Sequence, residues 1–253
     1  MKIKNSSLLS GLSGTYGDYV ICQTKDGPVM KKKPYYSKSK YATDPAYKKV
    51  RANNAEFSTA GRAVKLIREA FSYQLKYAKD SKLTPRMQAL MMQVVKSDPD
   101  NIYGSRTAAS GNFGFLDQFE CNAHAGLGRI IAAGHTINID RASGSVMIEI
   151  PSLKPKNQIL YPRNAGSYRI ICAVSEINFN DNTYSTNKTD SGLLPINNKA
   201  TGPIVLATAI KPGSILPVFV AMGIQFVEIL NGLEFPVEAG EFNPLCFVKI
   251  ERP

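Results

Sequence analysis

Leu216–Val237 reads LPVFVAMGIQFVEILNGLEFPV, three apolar runs with one Asn-Gly pair before the last. Asn231-Gly232, set between Leu230 and Leu233, is a two-residue hairpin signal, because the favoured tight turn needs positive φ at both central positions. The runs LPVFVAM, IQFVEIL and LEFPV then read as consecutive short strands. The same pattern extends outward on both sides. TINID alternates, Ser143-Gly144 turns, and VMIEI alternates again with Val146, Ile148 and Ile150 on one side. YRIICAV places Tyr168, Ile170, Cys172 and Val174 on one face, PIVLATA follows, and LCFVKI closes the series. Seven or eight short strands over about 115 positions, with turn residues between them, predict an antiparallel β-sandwich of the immunoglobulin-like kind.

Upstream the period changes to that of a helix. From Asn53 to Lys79, apolar residues recur at Phe57, Ala60, Val64, Ile67, Phe71, Leu75 and Ala78, three or four apart, which predicts one buried helical face. A second helix is expected over LTPRMQALMMQVV, with Thr84 as cap and Pro85 at the first helical position. Its apolar stripe is Met87, Leu90, Met91, Val94 and Val95, core filling rather than an adaptable binding surface. The two helices, linked by DSKL, are expected to pack as an antiparallel hairpin. Residues 98–133 are glycine-rich and aromatic, a bridge with one short helical turn.

The N-terminal stretch SGTYGDYVICQTKDGPVMKKKPYYSKSKYATDP (13–45) opens with a hairpin. DYVICQT leads into a turn at Asp26-Gly27 and PVMKKK returns; Pro28 cannot donate to a ladder, so the returning strand is expected at an edge, where lysines discourage unwanted pairing. Residues 34–45 are expected to be an irregular basic connector. Fold class is therefore α+β: a glycine-rich hairpin arm with its connector (1–45), a helical region (46–133) and a β-sandwich domain (134–253).

Among 253 residues the net charge is +11, and it is unevenly placed. Residues 1–90 hold 18 Lys/Arg against 6 Asp/Glu, and residues 91–253 hold 13 against 14. All the excess lies in the first third, the footprint of a polyanion or of an acidic partner surface. The four cysteines, Cys22, Cys121, Cys172 and Cys246, form no C-x-x-C pair and sit in strand-like contexts, so they read as small buried hydrophobes. Ser and Gly break up the N-terminal apolar residues, which gives no secretory signal. The longest uncharged apolar stretch, Pro217–Ile224, is far short of the roughly 18 residues a membrane helix needs. The expectation is a soluble protein, cytoplasmic at synthesis, with membership of a particle or released assembly as its later location.

Catalytic and metal patterns are thin. Gly11, Gly14 and Gly17 make G-x-x-G-x-x-G, which matches neither phosphate-loop spacing; together with Gly27 they read as positions of backbone freedom. Cys121 and His124 make half a zinc site, and His135 is the other histidine. Asp140, Glu149 and Glu176 fall in alternating strands without evident pairing, and NFNDNTYSTNKTD around Asp181 lacks the glycine and terminal Glu of a calcium hand and reads as a polar hairpin tip. No catalytic residue, metal site or cofactor is assigned.

Several blocks taken together carry a resemblance. GTYGDYVICQTKDG, TDPAYKKVRANNAEFSTAGRAVKLIREA, GFLDQFECN and GIQFVEILNGLEFPVEAGEFNPLCFVKIERP, in that order, resemble a family of uncharacterised bacterial proteins of about this length. The resemblance implies no activity and no site residues. Where that family usually shows Arg followed by Glu-Asn, this chain keeps Arg51 and has Ala52 in the Glu place.

The function expected is a non-enzymatic structural protein that assembles with copies of itself into a filament, tubule or phage-like particle through the N-terminal arm. The contact residues named for it are Lys31, Lys32, Lys33, Tyr35, Tyr36, Lys38, Lys40, Tyr41 and Arg51. The alternative is non-specific nucleic-acid binding by the same residues: lysines would neutralise phosphates and tyrosines stack on unpaired bases, but no Arg lies within the Lys/Tyr run for base reading. No small-molecule substrate is identified.

Overall fold

The structure, a computed structural model, describes residues 11–24, 27–33, 38–78, 80–237 and 240–252. The chain is mixed helix and antiparallel sheet, and it divides into two compact units, Met1–Arg51 and Ala52–Pro253. The second unit contains most of the helical residues as well as all strands after the hairpin.

In the first unit β1 (Gly14–Tyr16), β2 (Tyr19–Thr24) and β3 (Gly27–Lys32) form an antiparallel sheet in the order β1-β2-β3. The returning strand lies at an edge, as Pro28 predicts, and β1 is an additional strand. The Cα register closes at Thr24↔Gly27, so Gly27 opens β3 instead of centring the turn. Lys25 and Asp26 lie outside the described residues. The connector is not irregular throughout: α1 (Lys38–Thr43) is followed by a 3-10 turn, Pro45–Tyr47, whose first turn is capped by Asp44 Oδ1 accepting the Ala46 N–H at 2.9 Å.

The second unit is built on two sheets. The large one runs β4 (Phe119–Glu120), β13 (Leu245–Glu251), β11 (Val218–Leu230), β7 (Ser167–Asn178), β8 (Thr183–Asp190), with β12 (Leu233–Pro236) on β11 and β9 (Leu194–Pro195) on β7. The small one runs β10 (Ile204–Ala209), β6 (Ser145–Ile150), β5 (Thr136–Asp140). Tyr168, Ile170, Cys172 and Val174 of β7 share one apolar cluster with Val146, Ile148 and Ile150 of β6, the faces expected from alternation. The opposite face of β7 and β11, with Ala173, Ile177, Phe219 and Ala221, joins a second cluster shared with the helices. Strands covered on both faces lose the polar half of the alternation and read as continuous apolar runs.

That two-sided burial explains a correction. LPVFVAM and IQFVEIL are not two strands: β11 passes unbroken through Gly223, where an added Cβ would lie 2.4 Å from the Pro244 carbonyl oxygen. A register shift at Val220/Ala221 absorbs the curvature against β13. Asn231 and Gly232 turn at φ 52° and 79°, as the hairpin signal requires. TYSTNKTD, read as part of a polar hairpin tip, is the outer strand β8, held by ladder bonds to β7 although its side chains face water.

The helices are α2 (Lys48–Ala70), α3 (Ser72–Leu75) and α4 (Leu83–Lys96). Ala60, Val64, Ile67, Phe71, Leu75 and Ala78 are buried as expected, whereas Phe57 is 55% exposed. Glu56 takes the buried place at that level of the helix, and Phe57 stands about 100° round from it. In α4, Met87, Met91, Val94 and Val95 are buried. Thr84 is not its cap: the helix begins at Leu83, and Asp80 Oδ1 accepts the Lys82 N–H at 2.6 Å. Gln88 Nε2 donates to the Phe57 carbonyl at 3.0 Å, tying α4 to α2. The bridge over 98–133 holds more than one turn: a 3-10 turn at Phe113–Leu116, strand β4 and a helical turn at Leu127–Ile130.

A buried polar knot joins these parts. Glu56 Oε1 accepts Arg106 Nε at 2.7 Å and the Gly104 N–H at 2.8 Å, and Oε2 accepts Arg106 Nη2 at 2.8 Å. Arg106 Nη1 donates onward to the Lys96 carbonyl. A Cβ on Gly104 would lie 2.8 Å from the Cβ of Ala52, so the loop that carries the knot leaves no room for a side chain at Gly104.

Removing the buried Glu56 carboxylate leaves the Gly104 N–H and the partly exposed Arg106 guanidinium without their shared acceptor. Glu56→Ala is expected to lower unfolding free energy by about 1–3 kcal/mol in denaturant titration, while Lys65→Ala, which breaks only an exposed pair with Glu69, stays within ~0.5 kcal/mol. Hydrogen bonds from Arg106 hold the Glu56 carboxyl below its ordinary range; at Asp98 burial pushes upward, but bonds from Thr107 and Asn101 outweigh it. Folded values below the unfolded ones stabilise above the ordinary carboxylate range and lose that contribution as pH falls through the lowered values. The denaturant midpoint is expected to drop steeply between about pH 5 and pH 2, less steeply in Glu56→Gln, and an identical slope would contradict the assignment.

The cysteines divide. Cys121, Cys172 and Cys246 are buried, and burial pushes the Cys172 and Cys246 thiols up to about 12. Cys22 is exposed, a correction to the expectation that all four are buried, because it faces outward on a strand of the small N-terminal sheet. A thiol reagent is expected to modify one cysteine of the native chain quickly and the other three only in denaturant.

Candidate functional site

The N-terminal sheet carries most of the residues singled out from sequence. Cross-strand partners share a face, and the registers Tyr16↔Tyr19, Tyr19↔Lys32, Ile21↔Met30 and Gln23↔Pro28 define one of them. Ile21 and Pro28 are buried on that face, while Tyr16 and Tyr19 are 49% and 46% exposed. The opposite face carries Thr15, Val20, Cys22, Val29 and Lys31.

This alternation separates the lysines. Lys31 and Lys32 point to opposite faces of β3, and Lys33, just beyond the strand, donates its N–H to the Asp18 carbonyl at 2.6 Å. All three are exposed. Lys31 and Lys32, at successive positions of the strand, are therefore divided between its two faces.

The downstream residues form a second cluster inside the same unit. The Tyr41 and Tyr47 rings meet at 5.6 Å. Arg51 is turned inward: Nη1 donates to the carbonyls of Tyr41 at 2.7 Å and Asp44 at 3.0 Å, satisfying backbone groups left open where α1 ends. Its role is to hold the turn. Lys38 and Lys40 lie on α1, apart from the β3 lysines in the chain's order of elements, and Tyr35 and Tyr36 lie outside the described residues. Gly11, Gly14, Gly17 and Gly27 all take positive φ, at 99°, 126°, 57° and 107°. Gly17 shows the reason most plainly: it turns the chain from β1 into β2, and nothing lies within 4 Å of an added Cβ, so backbone conformation and not space selects glycine.

A second feature went unread in the sequence. Glu120, Gln118, His135 and Met222 line a cavity of about 320 Å³. Glu120 Oε1 accepts the Leu127 N–H at 2.8 Å, and its Oε2 has no hydrogen-bond partner among the described residues. Burial raises the Glu120 carboxyl and lowers His135, pushing both toward uncharged forms. Glu120 lies on β4, which pairs with β13, and His135 just precedes β5, so no local spacing signals that they line one cavity. Cys121 and His124 do not make a joint surface, since the thiol is buried and the imidazole sits in an exposed loop. Among the described residues no helix is long and apolar enough to cross a membrane.

Comparison with known protein families, with curated proteins and with solved structures found no match for this chain.

Proposed function

We propose that the chain is a non-enzymatic structural protein that joins copies of itself into a repeating assembly through its N-terminal sheet. One observation carries the reading. The described part of that sheet buries only Ile21 and Pro28, yet presents Tyr16 and Tyr19 half-exposed on the same face and ends in the open edge β3. Three strands with so little core are marginal alone and gain from a covering surface. The open edge supplies unpaired backbone groups for strand addition, and the excess of positive charge in residues 1–90 suits an acidic patch on the next copy. A contact between an arm and a different surface is heterologous, and heterologous contacts propagate into rings or filaments, tubules and particle shells.

The body fits such a building block. We read its sheets as an immunoglobulin-like sandwich, supported by strand order: β10-β6-β5 opposite β13-β11-β7-β8 corresponds to E-B-A opposite G-F-C-C′, with crossings after β6, β9 and β10. Helices on the outer face of the large sheet are an addition to that plan.

Light scattering coupled to size exclusion tests the proposal. The wild type is expected to gain mass with concentration, and Tyr16→Lys/Tyr19→Lys to remain monomeric with unchanged circular dichroism, since both side chains are exposed. A wild type that stays monomeric across concentration and salt, and is unaffected by deleting residues 1–45, overturns it. Retention on single-stranded DNA at about 50 mM salt that vanishes by about 200 mM, and is abolished by Lys31→Glu/Lys32→Glu/Lys33→Glu, would favour the nucleic-acid reading instead.

A further inference from the structure

The helix-facing side of the large sheet changes character along its length. Where α2 and α4 cover it, it is apolar. Beyond them the in-register rows become Asp190, Ile171, Gly223 and then Arg169, Gln225. Thr186 Oγ1, donating to the Ala70 carbonyl at 3.1 Å, confirms that this side of β8 faces the helices. The α3 turn, with Tyr73, Gln74 and Tyr77, roofs the polar end and leaves a cavity of about 220 Å³.

Two buried polar atoms beside this cavity lack a partner among the described residues, and the Gln74 amide beside them is also unpaired there. Gln74 is 4% exposed, and its amide has no hydrogen-bond partner among the described residues. Asn243 is 3% exposed; its Nδ2 donates to the Val237 and Tyr77 carbonyls at 3.1 and 3.4 Å, and its Oδ1 has no partner. Arg169 gives Nη2 to Glu234, and its buried Nε has no partner. Folded proteins pair such groups with protein, water or ligand, so their gathering around one cavity points to an occupant.

The chemistry narrows the occupant. Arg169 pairs with Glu234, Lys188 lies over the Tyr73 ring and Asp190 lines the same cavity, so the four formal charges cancel and leave none to hold an ion. Amides of Gln74, Gln225 and Asn243 both give and take hydrogen bonds, as hydroxyl groups on neighbouring carbons do. Tyr73 and Tyr77 each carry a lysine over one ring face, Lys188 at 3.9 Å and Lys76 at 4.9 Å, and the other face supplies apolar surface for a ring's C–H face. The volume suits one six-membered ring and not a chain of them. We propose that this cavity binds a single neutral sugar unit, either a free monosaccharide or the terminal residue of a glycan. The inference is independent of self-assembly.

The test is an amide chemical-shift titration with glucose, galactose, mannose and N-acetylglucosamine, beside a glycan array that separates free sugar from a glycan end. At least one sugar is expected to shift amides at Gln74, Lys188–Asp190 and Gln225, and Gln74→Leu to weaken it at least about tenfold. Gln225→Leu serves if Gln74→Leu fails to fold. Two outcomes overturn the proposal: no neutral sugar shifts these amides while Gln74→Leu raises the melting temperature, the signature of a cavity holding ordered water only; or glucuronate binds and neutral sugars do not.

Discussion

The fold hangs on the pairing of β7 with β11. Ten residue pairs run from Val218↔Glu176 to Val227↔Ser167, and nearly all of these residues are buried. A ladder in that position needs cover on both sides. The small sheet supplies one cover through Ile148 and Leu206, and α2 with α4 supplies the other through Ile67 and Met91. Aromatic rings lock the second layer, with Phe247 of β13 meeting Phe71 at 5.1 Å and Phe219 at 5.9 Å. Helical residues and strands are thus mutually dependent, which a chain read segment by segment does not reveal.

Legibility followed locality. The Asn231-Gly232 turn, the alternation of β6 and the stripe of α4 are short-range patterns, and the structure keeps them. Misreadings arose wherever a partner distant in sequence decided the outcome. Phe57 has the spacing of a core residue, but Arg106, fifty positions away, draws Glu56 inward and leaves Phe57 outside. β8 is polar throughout and exists as a strand because β7 offers it a ladder. Thr84 has the look of a cap, yet Asp80 reaches the helix end from an earlier position. Of the candidate contact residues, the lysines of β3 were legible as an edge, whereas the inward role of Arg51 depends on the turn at Tyr41–Asp44 and had no sequence signal.

The N-terminal unit inverts the economy of the body. In the body, side chains are consumed in two large clusters; in the described part of the sheet, the apolar face is mostly unspent. Strand geometry also decides what its charge can do. Lysines at successive positions of β3 divide between two faces, so they suit dispersed contacts with a protein surface better than a continuous phosphate backbone.

The cavity under α3 has a comparable structural cause. α2 stops at Ala70 because Phe71 leaves helical geometry, at φ −107° and ψ 21°, and buries its ring in the helix-sheet core. The chain then restarts as a short turn set over β7 and β8, whose side chains there are Arg169, Lys188 and Asp190 and cannot complete an apolar core. A straight continuation of α2 would have demanded hydrophobic residues in those rows. With the break, Tyr73 and Gln74 roof the polar rows, and Lys188 Nζ lies 3.9 Å from the centre of the Tyr73 ring. A helix interruption thereby produces a space whose walls carry unspent donors and acceptors in a molecule otherwise closed by apolar contact.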